Sequence, residues 1–176
     1  MSVLEIARMG HPALRSVAEA VTDPTDPVVS ALITDMIETM RAMEGIGLAA
    51  PQIAVPKRVL IFELPAGPME EDKVPEMVLT TLINPVIEPI GDVIEEGWEG
   101  CLSLPGMAGL VPRYLEVRYR GVTQKGETVE QEVSGFRARV VQHEVDHLDG
   151  ILYPMRIKDL SNLGYIDEMQ KTLPEL

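Results

Sequence analysis

Two histidines flank an acid in the run Gln142-His143-Glu144-Val145-Asp146-His147. On a helix, residues four apart share one face about one turn apart, so the imidazoles of His143 and His147 could grip a single ion. Glu144, directly after the first histidine, could then serve as general base toward a water on that ion, as in a metallohydrolase. The pattern is short and also occurs in helices that bind nothing, so its weight depends on what the rest of the chain supplies.

Catalytic sites of this kind usually combine three protein ligands with one open position. Two residues compete for the third place. Glu168 stands 21 residues past His147, close to the spacing at which thermolysin-like endopeptidases place a glutamate. An extended metzincin-type motif is excluded, because position 153 is a tyrosine. Cys101, the single cysteine, lies in Gly97-Trp98-Glu99-Gly100-Cys101-Leu102-Ser103-Leu104-Pro105. A thiolate is a strong ligand for Fe(II) or Zn(II). A Cys-His-His set would set one negative charge against a dication and lower the pKa of bound water. Residue types alone leave both candidates open, along with a third reading, a binding protein that keeps the site without turnover. Glu144 speaks against that third reading, because binding alone needs no general base.

The stretch Gly45-Ile46-Gly47-Leu48-Ala49-Ala50-Pro51-Gln52 lacks the Lys-Ser/Thr ending of a phosphate loop. Its glycines let backbone pass close to another strand or a ligand, and its composition favours a tight packing turn. His11 precedes a proline and reads as a surface residue.

The elements that must position these groups are legible in outline. Leu32, Ile33, Met36, Ile37 and Met40 recur at helical spacing, which predicts a helix from Val28 to Met43 with Pro27 in its first turn. The motif helix should run from Gly135 to Leu148, with Val140, Val141, Val145 and Leu148 as its apolar residues and Gly150 as its stop. Strands are expected at Arg58 to Leu64, Val78 to Ile83 and Val86 to Ile90, the last two separated by Asn84-Pro85. A turn at Gly91-Asp92 leads to a return strand, Val93 to Glu96. Leu115 to Tyr119 and Thr128 to Val133 form a hairpin through Lys125-Gly126. The first 27 residues read as an irregular arm with a helical turn near Pro12. Pro65 to Pro75 reads as a loop, Ile151 to Ile157 as extended, and 158–176 as a polar C-terminal tail with at most a short helix. The fold class expected is α+β: antiparallel strands packed around a central metal-binding helix, with an N-terminal helix, in a single domain over 1–176.

Composition narrows the function classes. With 45% hydrophobic and 24% charged residues, the chain has the balance of a globular protein. Its net charge of −13, with no basic run, argues against nucleic acid as a partner. One cysteine excludes an internal disulfide, and neither a signal peptide nor a bilayer-length apolar run is read. A cytoplasmic location without membrane contact is the expectation.

Three segments together carry a specific likeness. Gly45 to Gln52, Glu99-Gly100-Cys101-Leu102-Ser103 and Gln142 to His147 occur in the order and form of the three signature motifs of peptide deformylases, and the chain resembles that family from about Leu14 to Tyr153. The resemblance implies that Cys101, His143 and His147 hold one divalent metal, typically Fe(II), with Zn, Ni or Co able to substitute; Cys101 then displaces Glu168. It implies hydrolysis of the N-formyl group from the initiator methionine of nascent N-formylmethionyl peptides, with release of formate. Glu144 would be the general base, and Gln52 with the backbone N–H of Leu102 would stabilise the oxyanion. Substrate would lie extended along Ile46 and Gly47, with the methionine side chain near Val140, His143, Ile46, Glu99 and Leu102. Arg139 is a less expected neighbour there, suited to line the rim with its stem. Asp146 is assigned a structural role with Arg113 or Arg137 as partner, and Trp98 a packing role. The resemblance also implies transient contact with the ribosome, although the strongly basic C-terminal helix of many bacterial members is absent from 158–176.

Overall fold

Strand β2 (Val59–Pro65) is apolar on both faces, and both faces are covered. Successive side chains of a strand point to opposite sides. Val59 and Ile61 accordingly pack with Ile33, Met36 and Met40 of helix α1 (Pro27–Ala42). Leu60, Phe62 and Leu64 pack with Val140, Val141, Val145 and Leu148 of helix α2 (Gly135–Leu148). A computed structural model gives this arrangement and describes residues 3–66 and 76–173. Most of the loop expected at Pro65 to Pro75 lies outside the described residues.

The sheet that contains β2 has five antiparallel strands, in the order β1-β2-β3-β6-β7. β1 is Gly47–Ala49, β3 Met77–Pro89, β6 Glu116–Val122 and β7 Thr128–Ser134. The expected β6–β7 hairpin is present, closed by Thr123 and Gly126. A second sheet, ordered β4-β5-β8, joins β4 (Ile94–Cys101), β5 (Leu104–Tyr114) and β8 (Leu163–Tyr165). The architecture is α+β, with α2 lying against both sheets. None of the described helices is long and apolar enough to cross a membrane.

α1 begins where its chemistry directs. Asp26 caps the N–H of Val28 at 2.8 Å, and Pro27 sits where no N–H is needed. α2 ends on Gly150 at φ 72°, where the N–H groups of Gly150 and Ile151 return to the carbonyls of His147 and Asp146.

Four expectations are corrected. Asn84-Pro85 does not split a strand. β3 runs through it with a register shift between Ile83 and Val86, and Asn84 adopts φ 51°. Asparagine tolerates that conformation, and its amide pairs with both backbone groups of Val21 at 2.8 Å. Val93 to Glu96 does not return along β3; from Ile94 the chain pairs with β5 in the other sheet. Ile151 to Ile157 is not wholly extended, because Tyr153–Arg156 forms a 3-10 turn. The segment from 158 on folds β8 onto β5, followed by the short helix α3 (Ile166–Met169).

The arm before α1 is irregular, with its 3-10 turn at Pro12–Arg15 and an exposed His11. It is nevertheless tied down. Ala7 donates to the carbonyl of Gln52 at 2.7 Å, Met9 to that of Ser103 at 2.9 Å and Ala18 to that of Leu148 at 2.8 Å.

Asn84→Ala removes two hydrogen bonds and leaves a residue that disfavours positive φ. It should cost about 2–3 kcal/mol of unfolding free energy, read from denaturant midpoints at unchanged m-value.

Candidate active site

The polar residues of α2 form one buried stripe. Arg139, Gln142, His143 and Asp146 recur at helical spacing and face the second sheet, while Ala138, Val141, Val145 and Leu148 form the apolar stripe. Gln142 pairs with both backbone groups of Tyr114, at 3.0 and 2.8 Å, as a neighbouring strand would. Asp146 takes Arg113 Nη1 at 2.5 Å and Arg156 Nη2 at 2.7 Å. Arg137, the other partner considered for Asp146, instead donates to the Pro65 carbonyl. These contacts fix where the side chains of His143 and His147 emerge.

Cys101 ends β4 and turns toward them. Its Sγ lies 3.3 Å from His147 Nε2, and the donor atoms of Cys101, His143 and His147 all lie within 4.8 Å of one another. The imidazoles are edge to face at 4.9 Å. Glu99 takes His143 Nδ1 at 2.8 Å, which leaves Nε2 to face Cys101. Tyr153 stacks beneath the same ring at 6.2 Å. Glu168, the competing third ligand, is exposed on α3 and ion-paired with Lys171 at 2.5 Å.

The electrostatics favour a cation. Burial alone would raise the Glu99 carboxyl, but hydrogen bonds from Arg113 and His143 hold it at about 2. Burial opposes a charge on His143, yet Cys101 and Glu99 raise its pKa well above the usual imidazole range. Burial, then His143 and Arg113, keeps His147 well below that range, in the neutral form that ligates. One thiol and two imidazoles within this spacing fit a tetrahedral metal of roughly 2.0–2.3 Å bond lengths.

Glu144 is buried beside this set and lines the cleft, with Oε2 lacking a hydrogen-bond partner among the described residues. Burial pushes its carboxyl up to about 7. Gly47 packs directly on it: a Cβ there would lie 2.3 Å from Glu144 Oε1. Gln52 lies in the 3-10 turn Ala50–Ile53 and is oriented by the strand before it, since Oε1 accepts from the N–H of Ala49, the last residue of β1, at 2.8 Å. Its Nε2 therefore points to Cys101 Sγ at 3.4 Å and Ser103 Oγ at 3.3 Å. Leu102 begins the tight turn from β4 to β5, and its side chain packs toward α1.

The cleft, about 460 Å³, runs between the edge of β1 and the β4–β5 hairpin. Ile46, Gly47, Glu99, Leu102 and Val140 all line it, as does Trp98. Glu99 contributes less polarity than its type suggests, because Arg113, Arg139 and His143 occupy its oxygens. Sequence reasoning missed Arg156 and the stacked Tyr153. Ile166, from the segment read as a tail, also reaches the cleft.

An α+β scaffold that holds a Cys-His-His donor set beside a buried, protonatable carboxylate defines a metal-dependent hydrolase. Residues 3–163 match the family model for polypeptide deformylase. Peptide deformylase 1 of Nitrosomonas europaea is 51% identical over 164 residues, covering 93% of each chain. Peptide deformylase from Thermotoga maritima superposes with a TM-score of 0.81 at 35% identity, covering 90% of this chain and all of the other. A class I type b peptide deformylase of Acinetobacter baumannii, solved with Met-Ala-Ser bound, gives 0.79 at 40% identity over 89% of this chain and 99% of its own. The chain belongs to the polypeptide deformylase family. It is an enzyme that removes the N-formyl group from nascent peptides in a metal-dependent hydrolysis.

Gly47→Ala would push the Glu144 carboxylate out of place while leaving the donor set intact. Deformylation should fall about 100-fold at unchanged metal content, measured by formate release and elemental analysis of the same sample.

Proposed function

We propose that Cys101, His143 and His147, the histidines presented by α2, hold one divalent ion, Fe(II) in the cell, with Zn, Ni or Co able to occupy the same site. The carrying observation is the convergence of the Cys101 sulfur and two imidazoles beside the Glu144 carboxylate. When bound, the ion supplies Lewis acidity that lowers the pKa of water and polarises a carbonyl oxygen. The chain's own groups divide the remaining work.

Glu144 takes a proton from the attacking water and delivers it to the amine nitrogen as the formyl C–N bond breaks, so that formate and a free amino terminus leave. Its raised pKa, near neutrality, suits both halves of that transfer. Gln52 Nε2 and the Leu102 N–H donate to the formyl oxygen as negative charge builds on it. Gln52 is already oriented for this by Ala49, so it need not reorganise during the reaction. Glu99 fixes the tautomer and tilt of His143 through Nδ1.

The substrate is a nascent N-formylmethionyl peptide laid extended along the outer edge of β1. Ile46 and Gly47 supply backbone partners, in the manner of an added strand. Val140, Ile46 and Leu102, with the His143 ring, take the unbranched methionine side chain. Met-Ala-Ser bound to the related Acinetobacter enzyme supports a short peptide as occupant. The chain acts as one catalytic domain over 1–176, in the cytoplasm, meeting its substrate through transient ribosome contact without binding nucleic acid or membrane.

Freshly reduced Fe(II) protein should release formate from formyl-Met-Ala-Ser. Internal cleavage of unformylated peptides without formate would overturn this reading. Cys101→Ala should lose the metal while Glu168→Ala keeps it. Glu144→Gln should keep the metal and lose about 10²–10⁴ in kcat, and turnover at the wild-type rate would remove Glu144 from its role.

A further inference from the structure

Arg139 stands on the α2 wall of the cleft, one residue before Val140 and four before His143. A guanidinium is a poor wall for a thioether, and this one is neither solvated nor idle. Its side chain is 11% exposed. Nη1 donates to Glu99 Oε1 at 3.0 Å, to the Val111 carbonyl at 2.7 Å and to the Gly97 carbonyl at 3.3 Å. Nη2 donates to the Glu95 carbonyl at 2.8 Å. One side chain of α2 thus grips β4, β5 and the carboxylate behind His143.

Gly97 completes the arrangement. It lies within β4 without positive φ, so its backbone does not require glycine. A Cβ there would, however, lie 2.8 Å from Arg139 Cζ and Nη2 and 2.9 Å from Nε. Three guanidinium atoms at nearly equal range place the plane of the group flat over the glycine. The absent side chain makes the space that Arg139 occupies.

We propose that Arg139 is a positioning residue for this reaction: seated over Gly97, it fixes Glu99, and through Glu99 the ring of His143. The inference rests on the ligand set proposed above. Arg113 tethers the same carboxylate from β5, with Nε on Oε1 at 2.8 Å and Nη2 on Oε2 at 2.9 Å. Arg139 adds a tether from α2 itself. His143 and the group that orients it are thereby referenced to one helix, one turn apart. Without Arg139 the carboxylate keeps Arg113 and His143 as partners, but α2 loses its hold on the Glu95, Gly97 and Val111 carbonyls beside it.

The test uses Co(II)-loaded protein in wild-type, Arg139→Met, Gly97→Ala, the double variant and Arg139→Lys. The readouts are the rate of Co(II) loss to excess chelator, the visible Co(II) spectrum, the melting temperature of the metal-free protein, and kcat and KM on formyl-Met-Ala-Ser. Arg139→Met and Gly97→Ala should each speed Co(II) loss by about tenfold or more, shift the spectrum and lower kcat at little-changed KM. The double variant should be no worse than Arg139→Met, because the methyl added by Gly97→Ala then fills space the guanidinium has left. Arg139→Lys should recover part of the effect. Wild-type Co(II) loss and spectrum in both single variants, with KM alone raised, would make Arg139 a pocket wall and overturn the proposal. Additive effects in the double variant would sever Gly97 from Arg139 and overturn it as well. If wild-type protein holds no Co(II), the ligand set fails and this inference fails with it, an outcome distinct from failure of Arg139 alone.

Discussion

The structure depends on a seam of buried charge between α2 and the second sheet. Arg113 lies between Glu99 and Asp146, Arg156 closes the far side of Asp146, and His143 closes the near side of Glu99. Removing such ions from water is costly, and only near-complete pairing offsets it. Here the pairing is near complete: both Glu99 oxygens and both Asp146 oxygens carry guanidinium or imidazole partners. Such a seam contributes little net stability against an apolar replacement. It does fix geometry, because any slippage would leave a buried charge without its partner. The ring of His143 inherits that rigidity directly.

α2 is consequently served by two different kinds of surface. Its apolar stripe rests on Leu60, Phe62, Leu64 and Tyr119 of the five-stranded sheet, a non-directional contact that stabilises without aiming anything. Its polar stripe meets the β4–β5 hairpin through directional bonds, which aim the two histidines at the sulfur of Cys101. The cleft opens where the two sheets part, between the edge of β1 and the β4–β5 hairpin. Binding edge, donor set and general base thus meet at one junction, each carried on regular structure or on the tight turn that follows it.

This division explains what the sequence made legible. α1, β2, the β6–β7 hairpin and α2 announce themselves by period, because each has an apolar face that must be buried. The three motifs likewise pointed to Cys101, His143, His147, Glu144 and Gln52, which the fold brings together. β4 and β5 were harder to see. Glu95, Glu96, Glu99 and Gly100 interrupt any alternation, and Pro105, Gly106, Gly109 and Pro112 read as turns. Their strand pairing is imposed by the sheet rather than by local preference. The polar stripe of α2 looks like a solvated face in sequence, since periodicity cannot distinguish water from a complementary set of arginines and carbonyls. Arg156 meets Asp146 only because the chain turns back after α2, and the grip of Arg139 falls largely on distant backbone oxygens, which leave no trace in side-chain pattern.

The lacing of the first residues has a consequence for biosynthesis. Ala7 and Met9 bind the carbonyls of Gln52 and Ser103 from behind the reactive groups, and Leu14 packs with Leu152 and Tyr153. Partners so far apart along the chain must wait for one another during translation. Leu14 is made long before Leu152 and Tyr153, so its seat is completed only once those later residues exist. A chain still being made thus cannot seat this segment until the residues after α2 have emerged.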